Sequence, residues 1–437
     1  MFTSSGRGLR PGRHLRTARA AVLAIAACGA IAALGAAPPA VLTSDDFFDQ
    51  SALQDLRITM KPEDWAALQA TYLEDNYYRA DMQWRDQTMA IVGVRSRGSG
   101  SRNPYKPGLK IDFGRYVDQK FLGLKSLALA NGWQDPSLMK QRISMLFYAR
   151  MGIPAPRVVH ARVFINDHYL GLYQVMEPID KNFLARIYGT DAAGKSLNGG
   201  YLYEYLWKDA YEWDYLGSSL QTYLELFEPK THEDEAPSVL YGPFDTLFKT
   251  VNEVSDGAFE REVGRLIDLP GFAKYLAVDN FLADFDGFLG YWGPNNFYVY
   301  RQQGRTELVW FPWDKDLAFW APDYDIFQNV ERNVLARRTL EVLALRQLYL
   351  ETLAACAQSA MTPVSESDPT GWLEGEALKE IAQFHEAALA DPEKCFCNER
   401  MDDELQKVLR FARERGPYVL REAEKSLDRL QGVWRRP

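Results

Sequence analysis

Histidine and cysteine are scarce in this 437-residue chain, with five of the first and four of the second. The histidines are scattered, and neither a Ser-His-Asp arrangement nor a His-Glu-x-x-His pattern occurs, which weighs against hydrolases built on those groups. No histidine stands at ligand spacing from Cys395-Phe396-Cys397, which disfavours a zinc site. Cys356, Cys395 and Cys397 read as free thiols or, in an oxidising compartment, as one bridge from Cys356 to Cys395 or Cys397 with a thiol left over. Positive charge is in deficit as well. The formal net charge of −9 speaks against nonspecific nucleic-acid binding. No internal repeat is present, which removes repeat architectures from consideration.

Hydrophobic residues make up 47% and charged residues 25%, the balance of a globular protein with a substantial core in one large or two ordinary domains. Aromatics reach 13%, which fits either a ring-stacking site or a well-filled aromatic core. Residues 1–42 differ in kind. Arg7, Arg10, Arg13, Arg16 and Arg19 form a basic segment, and the run from Ala20 to Leu42 carries no charge. With Gly35-Ala36-Ala37 as a small-residue cleavage site, this segment reads as a secretory signal. An uncleaved membrane anchor is one alternative, and lipoprotein processing at Ile25-Ala26-Ala27-Cys28 is another. The protein is therefore expected outside the cytoplasm: extracellular, periplasmic, or attached to a membrane or cell surface through its N-terminus.

The remainder alternates strand and helix signals, an α+β pattern. Lys61-Pro62-Glu63 opens a helix, and residues 81–97 and 109–113 read as strands joined by the loop Gly98-Ser99-Gly100-Ser101. A helix is expected over residues 135–150, then a hairpin turning at Asn166-Asp167. Residues 190–240 read as a solvated connection or substrate-facing insertion containing Glu233-Asp234-Glu235. Residues 271–283 read as a helix delivering Asp284 and Asp286, and 335–361, 373–390 and 401–430 as packing helices.

Chemistry concentrates between Asp284 and Asp316. Residues 297–301 and 306–311 form a hairpin pattern, and a turn at Gln303-Gly304 sets Asn295 and Asn296 opposite Pro312 and Phe311. Asn295, Asn296 and Asp314 then emerge at one end, where carboxylate and amide oxygens suit a hard cation of the Mg²⁺ type. Backbone N–H groups of the Gly/Ser loop can cradle phosphates, with Lys106 or Lys110 as the neutralising cation. Glu177, at a strand exit, can pair with such a lysine.

Four ordered blocks, RGSGSRNPYKPGLKIDF (97–113), DPSLMKQRISMLFYARMGIPAPR (135–157), VFINDHYLGLYQVMEPIDKNFL (163–184) and NNFYVY…FPWDKDLAF (295–319), resemble the spore coat protein H (CotH) kinase family. The resemblance implies an atypical protein-kinase-like, two-lobed fold. Its core would span 43–334, with a nucleotide-binding part at about 53–190 and a catalytic and metal-binding part at about 191–334. Residues 335–437 would be a helical C-terminal part of the same domain. The implied activity is transfer of the ATP γ-phosphate to protein Ser or Thr with Mg²⁺ or Mn²⁺. Carried over, Lys106 (or Lys110), Ser99, Ser101 and Glu177 would serve the nucleotide. Asp286 would be the catalytic acid, with Asp284 as its alternative because GFLGYWGP widens the gap to Asn295. Asn295, Asn296, Asp314 and Asp316 would hold the metal. A catalytically silent surface-binding or adhesion protein on the same fold is the competing expectation.

Overall fold

Strand β1 (Gln54–Met60) buries every second residue, Leu56, Ile58 and Met60, and the same alternation repeats in its neighbours. The computed structural model describes residues 41–430 and Gly432. Residues 1–40, and with them the leader and cleavage-site expectations, lie outside the described residues. Among the described residues, β1, β2 (Tyr78–Trp84), β3 (Gln87–Arg97), β4 (Gly108–Asp112), β5 (Ser126–Ala130), β6 (Val158–Ile165) and β7 (His168–Met176) close into a barrel. Its order is β1-β2-β3-β4-β5-β7-β6, sealed by the parallel pairing of β6 with β1. Val92, Val94, Leu109, Ile111, Leu127, Leu129, Val163 and Val175 fill the interior. Closure leaves no open edge, and the residues alternating with these point outward.

Helix α1 (Ser44–Phe47) inserts Phe47 against Trp84 and Phe121, and α2 (Pro62–Ala70) follows β1. The β6–β7 hairpin turns at Asn166 and Asp167, both with positive φ, as the Asn-Asp pair leads one to expect. Helix α3 (Lys140–Arg150) starts later than the residue 135 read from sequence. The Asp135 carboxylate accepts from the Ser137 and Lys140 N–H groups, and Leu138 has φ +59°, so the preceding turn is a side-chain-capped loop.

The second half is built on a four-stranded sheet in the order β11-β10-β8-β9, formed by β8 (Tyr201–Tyr205), β9 (Phe227–Pro229), β10 (Phe297–Arg301) and β11 (Leu308–Pro312). Two of its strands, β8 and β9, thus come from the stretch 190–240 read as a solvated connection or substrate-facing insertion. Helices α4 (Lys181–Tyr188), α5 (Leu220–Leu224), α6 (Pro237–Glu253), α7 (Asp256–Val263) and α8 (Leu269–Phe281) surround the sheet. The C-terminal helices α9 (Val334–Glu341), α10 (Leu343–Met361), α11 (Trp372–Leu389) and α12 (Asn398–Leu430) match the expected helical segments. Arg415 of α12 is fully buried and donates to the carbonyls of Asn280, Phe281, Pro322 and Tyr324, fixing the end of α8. From Leu42 onward the described residues make one compact unit of α+β type. Cys356 is buried, Cys395 and Cys397 are exposed, and all three are free, so the bridge considered from sequence does not form. No helix among the described residues is long and apolar enough to cross a membrane.

The barrel meets the C-terminal helices at His160. Its ring is buried against Phe384 and donates to the Leu138 carbonyl at 2.6 Å. Burial, helped by Arg142, pushes its pKa down to about 3, so the unfolded chain takes up a proton near pH 6.5 that the folded one refuses. Stability should therefore fall as pH drops from 6.5 towards 3, by at most about 1.4 kcal/mol per pH unit from this residue. Denaturant titrations should show a shallower acid slope for His160→Gln than for the parent. An unchanged slope would remove His160 from the account.

Candidate active site

A cleft of about 1520 Å³ lies between the outer face of β3–β5 and the sheet β8–β11. Alternation decides which barrel residues reach it. With Val94, Leu109 and Ile111 inside, Arg95, Arg97, Lys110 and Asp112 must face out, and all four line the cleft. Arg95 stands directly opposite Lys110 across the β3–β4 ladder. The loop Gly98–Ser101 connects these strands at the rim, with Gly98 at φ +115° and Ser99 and Ser101 on the cleft wall. Arg102 latches the loop by donating to the Gly98 carbonyl at 2.7 Å and to Asp75 at 2.6 Å, and Arg95 shares that carboxylate. Lys110 and Lys125 also line the cleft, and neither forms an ion pair among the described residues.

The opposite wall carries the acids and amides. The β10–β11 hairpin pairs Tyr298, not Asn296, with Phe311, a displacement of two residues from the expected register. An even displacement leaves every side chain on its expected face. The ladder continues past the strands, with Trp313 N–H donating to the Asn296 carbonyl at 3.1 Å. Asn295 and Asn296 both donate their side-chain amides to the Asp286 carboxylate, at 3.1 and 2.9 Å. That leaves both amide oxygens without a partner among the described residues. Asp314 and Asp316 face the same cleft, and neither carboxylate accepts a hydrogen bond among the described residues. Asn296 and Asp314 have φ of +58° and +43°, left-handed conformations of the kind that gather at functional sites.

The eight residues GFLGYWGP between Asp286 and Asn295 do not hold the two apart. Asn295 N–H donates to the Gly287 carbonyl at 3.1 Å, and Tyr291 N–H to the Phe285 carbonyl at 2.8 Å, so the segment leaves and returns at one point. Asp284 is oriented differently from Asp286. It is buried, accepts from Lys315 Nζ at 2.7 Å, and does not line the cleft.

Burial raises the carboxyls of Asp286, Asp314 and Asp316. For Asp286 the neighbouring Asp314 adds to this while Asn295 opposes it, and for Asp316 the surrounding acids Asp314, Asp135, Asp286 and Asp284 all add to it. Arg97 works the other way on Asp314. Among the described residues no group of three or more His, Cys, Asp or Glu side chains is placed to hold a metal ion by itself. A Mg²⁺ site needs less, because the ion keeps waters and takes one or two carboxylates plus substrate phosphates. Two unengaged carboxylates beside two free amide oxygens fit that requirement.

Two residues expected here are elsewhere. Lys106 precedes β4, lies fully buried, and donates to Asp391 at 2.6 Å in the segment after α11, so it does not reach the cleft. Pro107 and Gly108 break the alternation that would have put it level with Lys110. Glu177 pairs not with a lysine but with Arg157 at 2.8 Å and Arg186 at 2.6 Å. Reading the sequence missed Arg97, Lys125, Asp279 and Lys315. Strand alternation from Val94 could have found Arg97, whereas Asp279 and Lys315 sit inside runs that look like an ordinary helix and turn.

The CotH kinase protein family model matches residues 94–419. The chain belongs to this family. A relative, the inner spore coat protein H of Bacillus subtilis (strain 168), is 27% identical over 385 residues, covering 85% of this chain and 98% of that protein. Among solved structures, the Helicobacter pylori proinflammatory kinase CtkA aligns with 73% of this chain and 94% of its own at 8% identity and a TM-score of 0.24. In this CotH-family chain, the block FPWDKDLAF supplies Asp314 and Asp316, and the Gly/Ser loop supplies the opposite rim.

The crowded acids have a measurable cost. A carboxyl whose folded pKa lies above its unfolded value binds more protons when folded, so its contribution to stability falls as pH rises through that window. Asp316→Asn should melt higher than the parent at pH 8, by about 1 °C for each kcal/mol relieved, and the gap should close towards pH 4. Millimolar Mg²⁺ should raise the melting temperature of the parent more than that of the variant, by mass action on the folded state. Equal Mg²⁺ responses would take Asp316 out of the candidate cation site.

Proposed function

We propose that this protein transfers the γ-phosphoryl group of ATP to a Ser or Thr hydroxyl of a protein substrate, with Mg²⁺ or Mn²⁺ as the metal. The observation that carries the reading is convergence on one cleft. Asp286, Asn295, Asn296, Asp314 and Asp316 stand on one wall, and Lys110, Arg97 and the Gly98–Ser101 loop on the other. Phosphoryl transfer asks for these parts and little else: a residue that orients the hydroxyl, cation sites and fixed positive charge.

The roles follow from chemistry. Asp286, held by two amide donors, accepts the hydrogen of the incoming hydroxyl. Lys110 and Arg97 neutralise phosphate oxygens, with the loop N–H groups and the hydroxyls of Ser99 and Ser101 beside them. Asn295, Asn296, Asp314 and Asp316 would hold the metal, which when bound offsets the charge on the phosphates. The cleft between the barrel half and the half built on the β8–β11 sheet, large enough for a nucleotide, supports a kinase-like two-lobed reading. Export of the protein, and its attachment to a surface, rest on the Arg-rich and Ala-rich N-terminal segment. The acidic stretch Glu233, Asp234 and Glu235 also lines the cleft and supports a preference for basic acceptor peptides.

Purified protein incubated with γ-labelled ATP, Mg²⁺ or Mn²⁺ and a Ser/Thr-bearing acceptor should incorporate label. Asp286→Ala should lower the rate by about 10²–10⁴-fold, the usual worth of a positioned base. Asp314→Ala should weaken the metal dependence. Label that survives both changes would sink the assignment, and ATP binding without any label would favour the silent binding protein. With Glu233→Gln, Asp234→Asn and Glu235→Gln combined, kcat/KM should fall for Lys-rich peptides and hold for neutral ones. An unchanged ratio would discard the acidic stretch as a selector.

A further inference from the structure

The loop bearing Asp286 is pinned from beneath by charges that never reach the cleft. Asp279 of α8 accepts from Phe288 N–H at 3.0 Å, from the Tyr148 hydroxyl at 2.6 Å and from Lys315 Nζ at 3.0 Å. Asp284 accepts from Asp286 N–H at 3.1 Å with one oxygen and from Lys315 Nζ at 2.7 Å with the other. One buried ammonium therefore ties together two carboxylates, and each carboxylate holds one backbone N–H of the 286–288 turn. Gly287 lies between them. A Cβ there would stand 2.4 Å from Asp279 and 2.7 Å from Asp284, so the turn closes onto both acids only because position 287 has no side chain.

Lys315 also sits between Asp314 and Asp316. Its burial turns those two neighbours to the cleft, and Phe285 N–H donates to the Leu317 carbonyl at 3.2 Å to fasten the two segments. Burying three charges is costly unless each is well partnered, and here each is.

We infer that Asp279, Lys315 and Asp284 form a positioning device that fixes the Asp286 carboxylate relative to Asp314 and Asp316, with Asp284 a positioning residue rather than the catalytic acid. The inference rests on the phosphoryl-transfer reading. Asp284→Ala leaves the Asp286 N–H unheld, whereas Asp284→Asn keeps an oxygen that can accept it. If Asp284 only positions, the alanine variant loses about 100-fold in kcat, the scale of a 1 Å misplacement. The asparagine variant stays within about tenfold of the parent, the worth of one weakened hydrogen bond. KM for ATP and calorimetric binding of ATP with Mg²⁺ stay at parental values in both.

An asparagine variant as inactive as the alanine variant overturns the inference, because an amide cannot replace a carboxylate that takes a proton. If Asp284→Ala melts below the assay temperature, Gly287→Ala carries the test. A fall in kcat at constant KM for ATP supports positioning, and an unchanged kcat overturns it. A parent protein that transfers no label sinks the proposed activity instead, a result separable from an active parent with an inactive Asp284→Asn.

Discussion

Everything at the cleft depends on where Lys315 puts its charge. The side chain is completely buried, an environment that works against an ammonium, yet Asp279 and Asp284 outweigh that cost and hold its pKa well above the ordinary value. Burial pushes the Asp284 carboxyl up while Lys315 pulls it back. Removing the ammonium would leave two buried carboxylates uncompensated, at a cost of about 3–5 kcal/mol, whereas removing Asp284 leaves Lys315 paired with Asp279. Because Lys315 points inward, the chain on either side of it must turn outward. Asp314 and Asp316 therefore reach the cleft from one short segment whose φ at Asp314 is +43°. The strain of that conformation is offset by the buried ion cluster beside it.

The C-terminal helices act on the site from a distance. Asp391 accepts from Lys106 at 2.6 Å and from Leu172 N–H at 2.9 Å, and it presses on Gly171, where a Cβ would lie 2.5 Å from its carboxylate. Arg142 of α3 pairs with Glu380 at 2.6 Å, and Lys140 with Glu404 at 2.9 Å. Helices α11 and α12 thus hold α3 through buried or nearly buried ion pairs, Asp391 after α11 holds Lys106 beside the barrel strand β4, and Arg415 holds the end of α8 that leads to Asp284 and Asp286. Both walls of the cleft are referred to the same helical frame. A helical tail that carries no reactive group still fixes the distance between the reactive groups.

Local patterns were the legible part. Strand signals at 81–97 and 109–113 located β3 and β4, the Asn166-Asp167 turn followed from its residue types, and the hairpin at 297–312 survived a two-residue register displacement because its period is two. What escaped was long-range pairing. Lys106 looked like a phosphate ligand because a lysine after a Gly/Ser loop is the right residue in the right place. Its partner lies 285 residues away in sequence, where no local pattern reaches. Glu177 is the same case, an acid whose two arginines come from other elements. The strands β8 and β9 were hidden for a different reason: β8 pairs with β10 across a long separation and β9 pairs with β8, in a stretch rich in turn residues.

The wide gap between Asp286 and Asn295 was the point at which the site could have come apart. Spacing along the chain is a poor measure of distance when a loop closes on itself. The bonds from Asn295 to Gly287 and from Tyr291 to Phe285 make a narrow neck, and between its ends Phe288 and Leu289 are buried in the core while Tyr291 and Trp292 stand exposed. Outside the neck, Phe285 stacks on Tyr291 at 5.1 Å and on Trp320 at 4.0 Å, which gives the excursion its own small aromatic support. Inside it, the Asn295 amide still meets Asp286 at 3.1 Å. Asp286 and the two asparagines therefore behave as one unit, although the sequence shows them as two.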